Sequence, residues 1–312
     1  MNGVANISND LQKVSLQNLD AGKTYTYRVV SVEIKDFQPY KIIYADTIYS
    51  NMYTFTTFTD KAKDFSFICL NDIHENVFFY DSLLKVAGDY DFVVLNGDLF
   101  NYISSEEQIV NKLIKPCAAI FAGNIPLVFV RGNHDARGVS AQNLFKYIEA
   151  ANNYYYSFNY SNTYFLVMDC GEDKADTNKE YSSIVSFDDY RNKEADWLRT
   201  ELKTKAYKHS KNKICLSHFP VKLDTTGMGH GSKDCAAKLA PLLQAKFNLL
   251  CCGHTHKAQL LKPEKNNHNY IIANGGGSKI ELATVTKVTV KNGTIEVIIM
   301  NDNGQVLYSY PK

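Results

Sequence analysis

Residues able to bind metal ions or move protons recur along this chain at one kind of place. Asn71-Asp72-Ile73-His74, Asn96-Gly97-Asp98, Arg131-Gly132-Asn133-His134-Asp135, Ser217-His218 and Gly253-His254-Thr255-His256 each follow directly on an apolar run. Any one of these has an ordinary explanation, since Asp-x-His suits an Asx turn and a lone histidine is often a satisfied core residue. Five in succession argue for one site, because the strand ends of a twisted open sheet converge on the edge where ligands bind. Carboxylate, imidazole and amide oxygen without thiolate suit Mn, Fe, Zn or Ni rather than a cysteine-rich structural zinc site.

The elements that must position these residues are short. Strands are expected at 65–70, 92–95, 127–130, 164–168, 214–217 and 247–252, alternating with helical stretches, which is the pattern of an α/β core. Ser105-Glu-Glu-Gln108 reads as a capping box opening a helix toward Phe121, and Trp197, Leu198 and Leu202 share one helical face. Beyond Asn269 the chain returns to strands, with 295–300 and 305–310 joined by the hairpin signal Asn301-Asp-Asn-Gly304. Before Asp60 it is β-like, with strands expected at 14–19, 25–30 and 52–58. Asn274-Gly-Gly-Gly-Ser-Lys279 lacks the spacing of a phosphate-binding loop and reads as a turn near the site. The tyrosine-rich stretch 153–160 reads as a hairpin packed on the core rather than a base-stacking strip.

Composition narrows the function classes. The 312 residues are 45% apolar and 21% charged, as in ordinary folded proteins, and 34 Lys plus Arg against 33 Asp plus Glu leave a net charge of +1. Charge therefore points to neither a nucleic-acid partner nor an anionic membrane, and no apolar stretch is long enough to span one. The first residues lack the basic and apolar regions of a leader. Seven cysteines without a CxxC pair read as small core residues rather than a disulfide or zinc framework.

The ordered motifs over residues 72–256 resemble the calcineurin-like metallophosphoesterase superfamily. The resemblance implies a two-sheet α/β sandwich flanked by helices, with two divalent ions (Mn, Fe, Zn or Ni) as cofactors. Asp72, His74, Asp98 and His256 would hold one ion, and Asp98, Asn133, His218 and His254 the other, with Asp98 as the bridge. Two divalent ions against two carboxylates leave such a site net positive, a trap for phosphate. The resemblance further implies hydrolysis of a phosphoric ester by a metal-bridged hydroxide, with His134 facing a small-molecule or phosphorylated substrate as general acid. A phosphomonoesterase is favoured; the alternatives are a phosphodiesterase or nucleotidase on the same site, or a surface binding module whose metal site is structural. His230, Asn101 and Asp135 are the further candidates for the substrate side.

Residues 1–60 resemble part of the fibronectin type III-like module found ahead of purple acid phosphatase catalytic domains, leaving 61–312 as the catalytic domain. Two features depart from purple acid phosphatases. His74 stands where their first motif has glycine, and Asn101 where they carry a metal-binding tyrosine, so no iron-tyrosinate colour is expected. A truncated module points to an exported parent, periplasmic or secreted; without one the chain reads as cytoplasmic.

Overall fold

In the computed structural model, which describes residues 11–59, 61, 63–148, 153–244 and 247–311, the apolar runs become two six-stranded sheets. Residues 1–10, read above for a leader, lie outside that description. The chain divides into two units, Met1–Thr59 and Asp60–Lys312.

The first unit holds β1 (Thr24–Tyr27), β2 (Val30–Gln38), β3 (Lys41–Tyr49) and β4 (Tyr53–Thr56). They pair antiparallel as β1 with β4 and β2 with β3. Tyr25 stacks on Phe55 across the β1–β4 ladder. This corrects the expectation of three strands. Residues 14–19 form none, since Val14 and Leu16 lie exposed with no ladder partner to reward their alternation. The β2–β3 hairpin escaped notice because charged residues interrupt both arms and its turn, Pro39-Tyr40, carries no glycine signal.

The second unit begins with β5 (Phe65–Leu70), β6 (Phe92–Asn96) and β7 (Leu127–Val130), which run parallel. Its later strands are β8 (Tyr156–Tyr160), β9 (Thr163–Val167), β10 (Asn212–Leu216), β11 (Leu249–Cys252), β12 (Gln259–Leu261), β13 (Ile271–Asn274), β14 (Thr284–Lys291), β15 (Thr294–Asn301) and β16 (Val306–Tyr310). One sheet has the order β16-β15-β14-β5-β6-β7 and the other β12-β13-β11-β10-β9-β8. In the second sheet β9, β10, β11 and β13 are parallel, with β8 and β12 antiparallel at its edges. Such central strands are covered on both faces, which is why they read as unbroken apolar runs rather than alternating ones.

The sheets meet through aromatic rings. Phe67 and Phe92 stack at 5.0 Å, Phe158 and Phe165 stack at 4.8 Å, and Phe67 meets Phe165 edge-on at 5.4 Å. Tyr156 and Tyr160 thus belong to a core-packed hairpin, β8–β9, and Tyr154 and Tyr155 are buried just ahead of it. On the outer faces lie α1 (Phe78–Ala87), a helical stretch from Glu106 through Ala122, α2 (Phe187–Glu201) and α3 (His230–Leu243). Ser105 caps the second of these, its hydroxyl accepting from the Gln108 amide at 3.2 Å, while the Gln108 side chain accepts from Ser104. Leu198 is buried in α2, with Trp197 and Leu202 packed against the same cluster. The chain between Asn301 and Gly304 turns as its sequence implies, and Asn292-Gly293, an equal signal passed over above, turns β14 into β15.

Candidate metal centre

The parallel strands end together, and each end delivers part of one site. β5 leads to Asp72 and His74, β6 to Asp98, β7 to Asn133 and His134, β10 to His218, and β11 to His254 and His256. Asp72, His74, Asp98 and His256 offer ligand atoms all within 4.8 Å of one another, and Asp98, His218 and His254 form a second such group. Asp98 belongs to both. Asn133 joins the second group through its Oδ1, 3.0 Å from His254 Nδ1.

Closeness alone would not imply a cation, but the pairing does. His74 Nε2 and His256 Nε2 face each other at 3.3 Å, and His218 Nε2 stands 3.1 Å from Asp98 Oδ2. Asp72 Oδ1, 3.1 Å from His256 Nε2, and His218 Nε2 are both buried, and their short contacts are not aligned as hydrogen bonds. Carboxylate and imidazole atoms crowded within 4.8 Å of one another, two of them buried without an aligned hydrogen bond, fit divalent ions held by N and O ligands.

The remaining lone pairs are spent on orienting the ligands. Asp72 Oδ2 accepts from Asn71 Nδ2 (2.7 Å) and from the His254 amide (3.0 Å), and Asp98 Oδ1 accepts from the His134 amide (2.8 Å). His218 donates Nδ1–H to the Asn96 carbonyl at 2.9 Å, which turns Nε2 inward. The Asn274–Lys279 turn lies beside the site as expected. Gly276 O accepts from Asn71, and a Cβ on Gly275 would stand 2.0 Å from Asn71 Oδ1.

Gly132 is under the same constraint. A Cβ there would lie 2.2 Å from the Asp98 amide nitrogen, so the neighbour that must yield is backbone. Gly132→Ala is expected to weaken metal binding roughly 10- to 100-fold, the usual cost of disturbing a ligand's support. Metal analysis after dialysis against a weak chelator would read this, and full retention of metal would contradict it.

Electrostatics of the metal-free chain follow from this crowding. Burial disfavours a charged His218, but Asp98 and Asp72 outweigh it and carry its pKa up to about 10. Burial disfavours the ionised Asp98 as well, and His218 outweighs it, holding the carboxyl far below its ordinary range. His254 goes the other way, to about 4, through burial and the nearby His218 charge. Because His218 is raised, its ion pair stabilises the metal-free fold fully below about pH 6.5, and that stabilisation is lost as pH rises through about 10. At pH 8 an arriving ion must displace the proton on His218. Zinc uptake is therefore expected to release about one proton from this residue, measured by calorimetric titration in buffers of different ionisation enthalpy. Uptake without proton release would contradict this assignment of His218.

His134 lies outside both ligand groups. Its ring meets His74 edge-on at 4.8 Å, and its Nδ1 lies 2.8 Å from the Asn101 carbonyl. Asn101 braces the site from its side chain too, with Oδ1 3.1 Å from His74 Nδ1. Tyr102 is exposed. Asp135 faces inward rather than toward substrate, buried and accepting from the amides of Leu99, Phe100 and Gly132. Burial, reinforced by the Asp98 charge, raises its pKa to about 7. His230 sits at the start of α3 against Asp188, at 3.0 Å, and is not among the residues gathered here.

Two neighbours of His134 went unseen in the sequence. Arg137 brings Nη1 to 2.9 Å from His134 Nε2, and Glu172, just beyond β9, grips Arg137 with both oxygens. Nothing in their separation marked them as a pair. The only legible signal was position, since Glu172 follows a strand end as the ligands do.

Residues 65–258 match the calcineurin-like phosphoesterase family, and the chain belongs to that family. Among solved structures it is similar to a purple acid phosphatase from yellow lupin (Lupinus luteus) seeds, at 18% identity and a TM-score of 0.67 over 95% of this chain. The chain spans only 60% of that lupin protein. A dimetal phosphatase from Danio rerio is similar at 12% identity and TM-score 0.52, over 75% of this chain and 95% of its own. GAP50, the anchor in the inner membrane complex of Plasmodium, matches at 18% identity and TM-score 0.52, over 79% and 88%. At these identities the likeness concerns the fold. A sequence search of curated proteins finds no match.

Proposed function

We propose that this protein is a dinuclear metal-dependent phosphoesterase, with phosphomonoesters as its preferred substrates. The observation that carries the reading is the pair of ligand groups sharing Asp98, with Asp72 Oδ1 and His218 Nε2 buried and unsatisfied. Asp72, His74, Asp98 and His256 would hold one divalent ion, and Asp98, Asn133, His218 and His254 the other. When bound, the ions neutralise the charge on a phosphoryl group and lower the pKa of water. The chain does the rest. Asp98 keeps the two ligand groups in one unit, and its Oδ1 draws in the His134 backbone. His134, a general acid in this reading, gives a proton from Nε2 to the leaving oxygen as the P–O bond breaks. The Asn101 carbonyl holds Nδ1, which leaves Nε2 as the nitrogen that meets the substrate.

The four N-terminal strands fit part of a fibronectin type III-like module, and the lupin match over nearly the whole chain supports that reading. By analogy with such modules we place the protein outside the cytoplasm. The test of function is to strip the protein of metal, reload it with Mn²⁺ or Zn²⁺, and compare p-nitrophenyl phosphate with bis-p-nitrophenyl phosphate. Metal-dependent release, faster from the monoester, is expected. Faster release from the diester would move the protein to the diesterases, and release from neither would favour a structural metal site.

A further inference from the structure

Arg137, the extended residue just after the short turn His134–Ala136, has an unusual set of partners. Its Nε donates to Glu172 Oε2 at 2.7 Å and its Nη2 to Glu172 Oε1 at 2.6 Å, a bidentate fork, with Asp173 Oδ1 3.0 Å from Nη2. Glu172 is itself buried. Burial acts to raise its pKa, and hydrogen bonds from Arg137 first, then Asp173 and Tyr181, outweigh this and bring it to about 2. Beyond the fork, which the Tyr181 side chain also adjoins, Nη1 is turned to His134, 2.9 Å from Nε2 and 3.2 Å from Nδ1. At nearly equal distances from the two ring nitrogens, Nη1 lies over the face of the ring rather than on the line of Nε2, so Nε2 keeps its in-plane direction open while Nδ1–H is held by the Asn101 carbonyl.

The clamp is anchored at its far end. Glu172 and Asp173 lie on the loop after β9, and α3 packs so closely there that a Cβ on Gly231 would stand 2.0 Å from Glu172 O. The Gly231 amide donates to Asp173 O at 2.7 Å. The acid's position is therefore set by a loop and a helix outside the metal-ligand motifs.

We propose that Arg137, held by Glu172, is a positioning residue for His134, fixing the ring so that Nε2 faces the leaving-group oxygen. The inference rests on the reading of His134 as the general acid. Arg137 acts through that ring, and the bidentate fork is what holds the guanidinium still enough to do so. Lysine cannot replace it, having a point charge and no fork.

The experiment is a leaving-group comparison on the metal-loaded enzyme. p-Nitrophenolate departs with little need of a proton, whereas an alkoxide needs one. Arg137→Gln is expected to lower kcat for an alkyl phosphate roughly 10- to 100-fold, the scale of misplacing a catalytic group by about 1 Å, with a much smaller loss for p-nitrophenyl phosphate. Arg137→Lys should stay impaired, and Glu172→Gln, which keeps the arginine, should show the same leaving-group dependence. In a His134→Ala background Arg137→Gln should add nothing. Equal losses on both esters, or additive losses in the His134→Ala background, would overturn the proposal. Should His134→Ala itself show no leaving-group dependence, the reading of His134 fails and the inference with it.

A second readout needs no turnover. In ¹⁵N-histidine spectra of the zinc-loaded protein, with His134 assigned by difference against His134→Ala, the neutral ring, the form left once the Nε2 proton has gone, should be the Nδ1–H tautomer alone in the wild type and a mixture in Arg137→Gln. An unchanged tautomer and line width would overturn the proposal even if no ester is hydrolysed.

Discussion

Asp98→Asn is expected to cost the protein both its second metal ion and its activity. Asp98 is the one residue common to the two ligand groups, with Oδ2 3.1 Å from His218 Nε2 and 3.8 Å from His74 Nε2. The amide removes a negative charge that both ions would share, and it can turn a donating NH₂ toward nitrogens that also need an electron-pair partner. It also removes the first of the two carboxylates that raise the pKa of the buried His218. Turnover of p-nitrophenyl phosphate should fall on the order of a thousandfold or more, since most of the charge stabilisation depends on the ions. Metal analysis should find about one ion per chain or fewer. Two ions per chain together with an unchanged rate would refute the bridging role.

His134→Ala should separate turnover from metal content. The His134 side chain is in neither ligand group, yet its ring packs on His74 and its backbone amide donates to Asp98. Alanine keeps that amide, so the ligands remain braced. The expected loss is in kcat for an alkyl phosphate, roughly 100- to 10,000-fold as for other general acids, with metal occupancy intact. Simultaneous loss of both ions would show that the ring supports the ligands instead of the substrate.

Much of this site was legible before any coordinates because its ligands sit directly after apolar strands. Each strand is a local pattern, and a parallel sheet brings their ends together without further information. Asp72, His74, Asp98, Asn133, His218, His254 and His256 were all singled out in that way, whereas their division between two ions and the two-sheet architecture came from the family resemblance. Arg137 and Glu172 were not, because their pairing spans 35 residues and depends on where α3 presses the loop after β9. Asp135 was misjudged for a related reason. A carboxylate beside a ligand looks available to substrate, and only the three amides that converge on it show it turned inward. In the first unit, β2 and β3 pair through backbone groups that any sequence carries, so their mixed side chains gave little sign of strand.

The backbone at the ligands themselves was also invisible in the sequence. Asp72 (φ 53°), His74 (45°), Asp98 (52°), His254 (68°) and His256 (54°) all lie in the left-handed region. Among residues with a side chain, this region is entered most readily by Asn, Asp and His, and each such position costs on the order of 1 to 3 kcal/mol when the surroundings enforce it. The curvature of the chain therefore acts as a filter on the donors evolution or a designer can install. Converting the site toward softer metals would require cysteine or methionine at these positions, where the backbone penalises them before any ion arrives. A saturation library at the five positions should return mainly Asp, Asn, His and Gly among folded variants. The metals this scaffold can adopt are in that sense chosen by its turns as much as by coordination chemistry.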